Sequence, residues 1–217
     1  MKFARQSVAM IRREYQGKPL EEKNVSPDPF HQFEEWFEEA ARLIEDDPNA
    51  MNLATVDEQG RPASRTVLMK GFDDEGLLFY TNYESRKSRH IFNNPNVAIT
   101  FYWPELVRQI CIEGEAEKIS DSQSDAYFRS RPVSSQLSAL ASPQSREISS
   151  RSELEKLVSK TRKEFETDEI PRPPQWGGFL VKPHRFEFWQ GRINRLHDRI
   201  CYTRKDKHHW KITRLAP

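Results

Sequence analysis

Four clusters in the sequence carry side chains that could hold an anion or handle a proton. Arg65-Thr66-Val67-Leu68-Met69-Lys70 sets two cations five positions apart. In a regular strand Arg65, Val67 and Met69 face one way and Thr66, Leu68 and Lys70 the other, so the cations would serve two anions unless a bulge intervenes. On pattern alone, a strand with two solvated charged ends accounts for these residues better. Tyr80-Thr81-Asn82 leads into Ser85-Arg86-Lys87, where a basic pair opens a predicted helix. Cations there oppose the helix dipole, and an anion between them and the free N–H groups would relieve the conflict. Tyr127 and Arg131 stand one helical turn apart, with Ser135 beyond Pro132. Two hydroxyls and a guanidinium suit a phosphate, although chance spacing explains the trio as well. The last cluster runs from Trp189 to Arg199. If residues 195–199 are extended, Arg195, His197 and Arg199 share one face. Two arginines flanking a histidine make poor sheet neighbours. They suit an anionic ligand held beside a group that exchanges protons near neutrality.

The elements that would position these clusters follow from periodicity. Residues 1–27 read as an arm without a core of its own, and 28–217 as one domain. Asp28-Pro29 caps a helix whose apolar face is Phe30, Phe33, Trp36, Phe37, Ala40, Ala41 and Ile44. Five strands are expected at Ala50–Val56, Pro62–Lys70, Leu77–Asn82, Val97–Trp103 and Val107–Ile119, with a short helix over Ser85–Asn93. Helices follow at Asp121–Ser130 and from Pro132 to Ala141. A third is expected from a Ser152-x-x-Glu155 capping box. Strands return at Gly178–Val181, Arg185–Gln190, Ile200–Arg204 and Trp210–Leu215. Short strands with turn signals every 8–12 residues predict a barrel or sandwich, not a parallel βαβ sheet.

Composition narrows the chemistry. The eight glycines contain neither GxGxxG nor GxxxxGK[ST], so bound phosphates would have to be held by side chains. The two cysteines, Cys111 and Cys201, form no CxxC or Cys/His cluster, and no structural metal is expected. The formal net charge of +1 hides an asymmetry: residues 30–47 hold seven acids and one base, residues 179–217 ten bases and three acids. A near-neutral chain is a weak candidate for nucleic acid. No apolar run approaches the ~18 residues of a membrane span, and the N-terminal residues lack a secretory core, so a cytoplasmic location is expected.

Taken together, Ser64-Arg65-Thr66-Val67-Leu68-Met69-Lys70, Phe79-Tyr80-Thr81-Asn82-Tyr83 with Ser85-Arg86-Lys87, Ser142-Pro143-Gln144-Ser145, and Phe188-Trp189-Gln190-Gly191 through Arg195-Leu196-His197-Asp198-Arg199 resemble the pyridoxine/pyridoxamine 5′-phosphate oxidases. The resemblance extends from Arg12-Arg13-Glu14-Tyr15 to the terminal Arg214-Leu215-Ala216-Pro217. Met69 is a mild departure, since the family often has Leu there.

The resemblance implies a mainly β, α+β fold: an FMN-binding split barrel with peripheral helices, paired as a homodimer with FMN at the subunit interface. It assigns FMN contacts to Arg65, Thr66, Val67, Leu68, Met69, Lys70, Tyr80, Thr81, Arg86, Lys87, Gln109, Gln144, Ser145, Trp189 and Arg199. Substrate contacts fall to Arg12, Tyr15, Lys70, Tyr127, Arg131, Ser135, Arg195 and His197. Arg65 would serve the flavin phosphate and Lys70 that of the substrate. The implied reaction oxidises pyridoxine 5′-phosphate or pyridoxamine 5′-phosphate to pyridoxal 5′-phosphate by hydride transfer from C4′ to the flavin, which O2 reoxidises to give hydrogen peroxide. Arg195 and His197 are the candidates at the reacting end, with His197 taking or relaying the 4′ proton. The Arg12/Tyr15 arm would fold over the substrate as a lid. A split-barrel flavoprotein with another substrate, and a non-catalytic carrier of flavin or pyridoxal phosphate, are the alternatives.

Overall fold

Alternating burial makes the strands, and one amphipathic helix covers part of them. In the computed structural model, which describes residues 14–165, 169–207 and 209–217, α1 spans Pro29–Leu43. The Asp28 carboxylate accepts the Phe30 N–H at 2.8 Å, and Pro29 occupies the first turn. Strand β1 (Ala50–Val56) buries Met51, Leu53 and Thr55. It pairs antiparallel with β2 (Pro62–Leu68), so that Leu53 faces Arg65 and Thr55 faces Ala63. There follow β3 (Gly71–Phe72), β4 (Leu77–Asn82), α2 (Arg86–Asn93), β5 (Asn96–Trp103), β6 (Arg108–Lys118), α3 (Asp121–Ser130), α4 (Val133–Ala141) and α5 (Arg151–Glu164). The chain closes with β7 (Trp176–Gln190), β8 (Asp198–Arg204) and β9 (Trp210–Arg214). The strands form one nine-stranded sheet in the order β2-β1-β5-β6-β7-β4-β3, with β8 on β7 and β9 on β8. The pairings β1–β2, β3–β4, β4–β7, β7–β8 and β8–β9 are antiparallel, so the expected mainly β, α+β class is borne out. Among the described residues no helix is long and apolar enough to cross a membrane.

The chain divides into two compact units, and β5, β6 and β7 run through both. The first comprises the described residues through Pro48, Thr100–Ile112 and His184–Pro217. Here α1 lays Phe30, Phe33 and Trp36 on Phe186, Phe101 and Phe188, with ring centroids 5.2–5.3 Å apart. The chain before α1 is fastened at several points. Gly17 donates to the Gly191 carbonyl, Leu20 to Asp198, and Arg214 makes a two-point contact with Glu22. The second unit, Asn49–Ile99 and Glu113–Pro183, holds the β1–β2 hairpin, β4 and α2 to α5. Phe128, Leu137, Ile170 and Trp176 form a buried cluster there, flanked by Tyr80 and Tyr127.

Several boundaries differ from the sequence expectations. β2 stops at Leu68: Met69 still donates to Asn49, in register with β1, and the partner changes at Lys70, which donates to Leu78. The chain then continues as β3, which makes six strands over residues 50–118 where five were expected. Residues 178–181 and 185–190 belong to one 15-residue strand. Pro183, which has no N–H to donate, falls between the stretch paired with β4, ending at Val181, and the stretch paired with β8, starting at Arg185. The cap of α5 is Ser150, whose hydroxyl accepts the Glu153 N–H, not Ser152. The expected extension over 195–199 begins only at Asp198: Ile193–Arg195 is a 3-10 turn, and Asn194 and Arg195 have φ of +55° and +59°. Arg195, His197 and Arg199 therefore do not share a strand face.

Candidate active site

The cations of three separate clusters converge on one cavity of ≈ 370 Å³ in the second unit. Arg65, Thr66, Val67, Leu68 and Lys70 line it from β2 and the chain just after. Tyr80 and Thr81 come from β4, Lys87 from α2, Tyr127 and Arg131 from the end of α3, with Gln144 and Trp176 completing the wall. Arg65 and Lys70 share the cavity because β2 ends between them, which removes the opposite-face objection. Among the described residues, four cations and no carboxylate line this space.

Two of these cations, Arg65 and Lys87, are held by neutral groups. Arg65 Nη1 donates to the Leu53 and Ala63 carbonyls and the Thr55 hydroxyl at 2.8–3.0 Å. Its Nε and Nη2, the side-on fork that matches a phosphate, have no partner among the described residues. Lys87 Nζ donates to Thr81, Ser85 and Gln144 at 3.0–3.3 Å. Burial, with Arg65 nearby, pushes its pKa down to about 8. Arg131 Nη1 is buried without a hydrogen-bond partner, while its guanidinium lies 4.6 Å over the Trp176 ring. Burial also works against the charge of Arg65 and of Arg131. Tyr80 stacks on Tyr127 at 3.8 Å and on Trp176 at 5.4 Å, giving the cavity a flat aromatic wall. Desolvated cations, an orphaned guanidinium N–H and stacked rings fit a flat, phosphate-bearing molecule.

Other assigned residues stand apart from the lining. Met69 is buried, Arg86 and Ser145 are exposed, and Ser135 gives its N–H to Pro132, none of them lining the cavity. Arg12 lies outside the described residues.

A second group forms in the first unit. His197 sits 4.7 Å from Trp189 and 5.6 Å from Tyr15, centroid to centroid. Its Nδ1 accepts the Arg192 N–H at 3.1 Å. A backbone N–H can only donate, so the neutral ring carries its proton on Nε2. Burial and the charge of Arg195 lower the His197 pKa, opposed by Asp198. In the neutral ring Nε2 is thus a donor. Arg195 is exposed. Arg199 gives Nε and Nη2 to Glu187 and Nη1 to the Ala216 carbonyl, each at 2.8 Å. Burial of Glu187 opposes its charge, but hydrogen bonds from Arg199 and Arg185 outweigh that and hold its carboxyl below the usual range. Gln109 Nε2 donates to the Cys111 thiol at 3.3 Å.

Sequence reasoning missed Trp176, Thr55 and Glu187. Trp176 opens a strand beside two glycines, and Glu187 interrupts the aromatic run Phe186–Trp189, a charge facing away from two buried rings. Both signals were readable. Thr55 had none.

Residues 37–164 match the family model described as pyridoxamine 5′-phosphate oxidase, and residues 176–217 that of the pyridoxine 5′-phosphate oxidase C-terminal dimerisation region. A curated pyridoxine/pyridoxamine 5′-phosphate oxidase of Rubrobacter xylanophilus is 53% identical over 99% of this chain and 98% of its own. The chain belongs to the pyridoxine/pyridoxamine 5′-phosphate oxidase family. A Nostoc member is 47% identical over 97% of this chain and 99% of its own. Among solved structures, PhzG from Burkholderia lata, in complex with tetrahydrophenazine-1-carboxylic acid, is 31% identical with a TM-score of 0.86, covering 93% of this chain and 99% of that one. A pyridoxamine 5′-phosphate oxidase-related, FMN binding protein from Nostoc punctiforme shares the fold, at 21% identity and a TM-score of 0.68, over 92% of this chain and all of that one. Membership of the oxidase family makes this chain a flavin-dependent oxidoreductase with the split-barrel fold.

Proposed function

We propose that this chain oxidises pyridoxine 5′-phosphate and pyridoxamine 5′-phosphate to pyridoxal 5′-phosphate, with FMN as its flavin and O2 as oxidant. The observation that carries the reading is the cavity that the described residues line with four cations, no carboxylate and a stacked aromatic wall. When bound, FMN would supply the two-electron acceptor and hand the electrons to O2, giving hydrogen peroxide. The alcohol loses two electrons and two protons to become the aldehyde; the amine route also consumes water and releases ammonia.

The chain's own residues bind and orient. Arg65 and Lys87 would hold the flavin phosphate through an unpartnered fork and a desolvated ammonium, with Thr66, Val67, Leu68, Met69, Tyr80, Thr81, Arg86, Gln109, Gln144, Ser145, Trp189 and Arg199 around the rest. Lys70, Tyr127, Arg131 and Ser135 would take the substrate phosphate, the remote handle that fixes the ring. Arg195 would cover the substrate ring, and His197 would hold a proton at Nε2 toward the reacting substituent. The arm, residues 1–27 with Arg12 and Tyr15, would close the substrate side of the 28–217 domain. The protein would work as a cytoplasmic homodimer with FMN at the subunit interface, consistent with the dimerisation-region match at 176–217.

The test is an aerobic assay of purified protein with added FMN and each phosphorylated vitamer, reading pyridoxal phosphate and peroxide. Formation of both products supports the reading. Flavin binding without turnover of either vitamer would leave a split-barrel flavoprotein for another substrate, an outcome the likeness to PhzG makes worth scoring. Binding of pyridoxal phosphate or flavin with no redox change would mark a carrier.

A further inference from the structure

Arg65 reaches the cavity by a constrained route. It faces Leu53 across the hairpin, and its side chain runs back along the same face toward the pair two positions away, Thr55 and Ala63. Nη1 has two hydrogens for three acceptors: the Leu53 carbonyl at 2.9 Å, the Thr55 hydroxyl at 2.8 Å and the Ala63 carbonyl at 3.0 Å. A guanidinium accepts nothing, so in the 2.8 Å contact, the shortest of the three, Thr55 turns a lone pair to Arg65 and its own proton goes elsewhere. Two acceptors are in reach. The Ala63 carbonyl is 3.5 Å away and already engaged by Arg65; His90 Nδ1, from α2, is 3.1 Å away. Thr55 is fully buried and His90 7% exposed, so water competes little for either.

We propose that Thr55 and His90 are positioning residues for the flavin phosphate: His90 turns the Thr55 hydroxyl, the hydroxyl pins Arg65 Nη1, and the Nε/Nη2 fork stays free and aimed for a phosphate. The inference rests on the FMN reading above. Burial and the charges of Arg86 and Arg65 disfavour protonation of His90 and outweigh Asp57 and a hydrogen bond to the Thr55 backbone, which favour it. A neutral His90 accepting at Nδ1 is the form the relay requires. The device lowers the ordering cost of a long, rotamer-rich side chain before any ligand arrives.

The test compares the dissociation constants of FMN and riboflavin, which differ only by the phosphate, by flavin-fluorescence quenching of the full-length protein. Thr55→Val keeps the side-chain shape and removes the hydroxyl; it should weaken FMN by about tenfold and leave riboflavin unchanged. Thr55→Ser should restore FMN affinity. His90→Leu should weaken FMN in the same selective way, and saturating FMN should return kcat to the wild-type level in every variant. FMN affinity unmoved by both Thr55→Val and His90→Leu overturns the inference. Equal losses for riboflavin and FMN also overturn it, because they indicate a packing defect. A wild-type protein that binds riboflavin as tightly as FMN would instead remove the phosphate reading on which the inference stands.

Discussion

At the scale of single residues, the cavity works by withholding counter-charges. Lys87 is surrounded by hydroxyls and an amide, and burial brings its pKa down to about 8. A phosphate beside it favours the charged form, so the bound state keeps a proton that the empty state loses above about pH 8. FMN affinity should therefore be level from about pH 7 to 8 and fall at higher pH. Quenching titrations across that range check this; Lys87→Arg, always charged, should flatten the profile, and a wild-type profile already flat removes Lys87 from the phosphate. Arg131, with its orphaned N–H, should matter for the substrate: Arg131→Ala should raise KM for both vitamers by about 10–100-fold, with FMN affinity kept. Steady-state kinetics with saturating FMN decide it. For His197, the Nδ1 contact makes a donor of the other nitrogen. His197→Gln, which retains a donor near that place, should keep most of kcat, whereas His197→Ala should lose about tenfold. Equal losses near ~10²-fold or more in both would mark a general base. The cations themselves were legible in the sequence because they stand in clusters. Their neutral partners were not: Thr55 meets Arg65 only after a hairpin has formed, and Trp176 meets Arg131 across 45 positions.

At the scale of elements, hydrophobic periodicity located most strands and helices, because residues facing a core must repeat with the period of the element. It failed where partners change. The end of β2 at Leu68 and the continuity of β7 through Pro183 are set by which strand lies alongside, a fact no local pattern records. The 193–197 turn failed for a different reason: left-handed Asn194 and Arg195 break the strand period, and a local hydrogen bond from the Arg192 N–H to His197 closes the turn. That turn presents His197 to Tyr15, whose own segment is fixed at Gly17. A Cβ at Gly17 would overlap the Gln190 amide and the Gly191 carbonyl. Gly17→Val should therefore lift the arm from β7, raise KM for the vitamers and leave FMN affinity intact. Overpacking of this kind costs about 1–3 kcal/mol, which a lowered Tm would register. A variant with unchanged KM would separate Tyr15 from the substrate.

At the scale of the whole molecule, the assigned residues fall into two sets. Every cavity-lining residue belongs to the unit of residues 49–99 and 113–183. Tyr15, Gln109, Trp189, Arg195, His197 and Arg199 all belong to the other. Sequence resemblance was what joined them; neither charge nor periodicity carries information about a partner surface. The dimerisation-region match at residues 176–217 covers Trp189, Arg195, His197 and Arg199. If each active site takes its cavity from one subunit and this second set from its partner, two defective chains can repair each other. Arg131→Ala and His197→Ala, co-expressed with different tags, would give a heterodimer with one site intact and one doubly impaired. Random pairing makes half the dimers mixed, so the pool should regain about a quarter of wild-type activity at a substrate level limiting for either parent. The doubly tagged fraction, isolated by sequential affinity steps, should carry that activity. Activity in that fraction no higher than in the two parents would assign both sets to the same subunit.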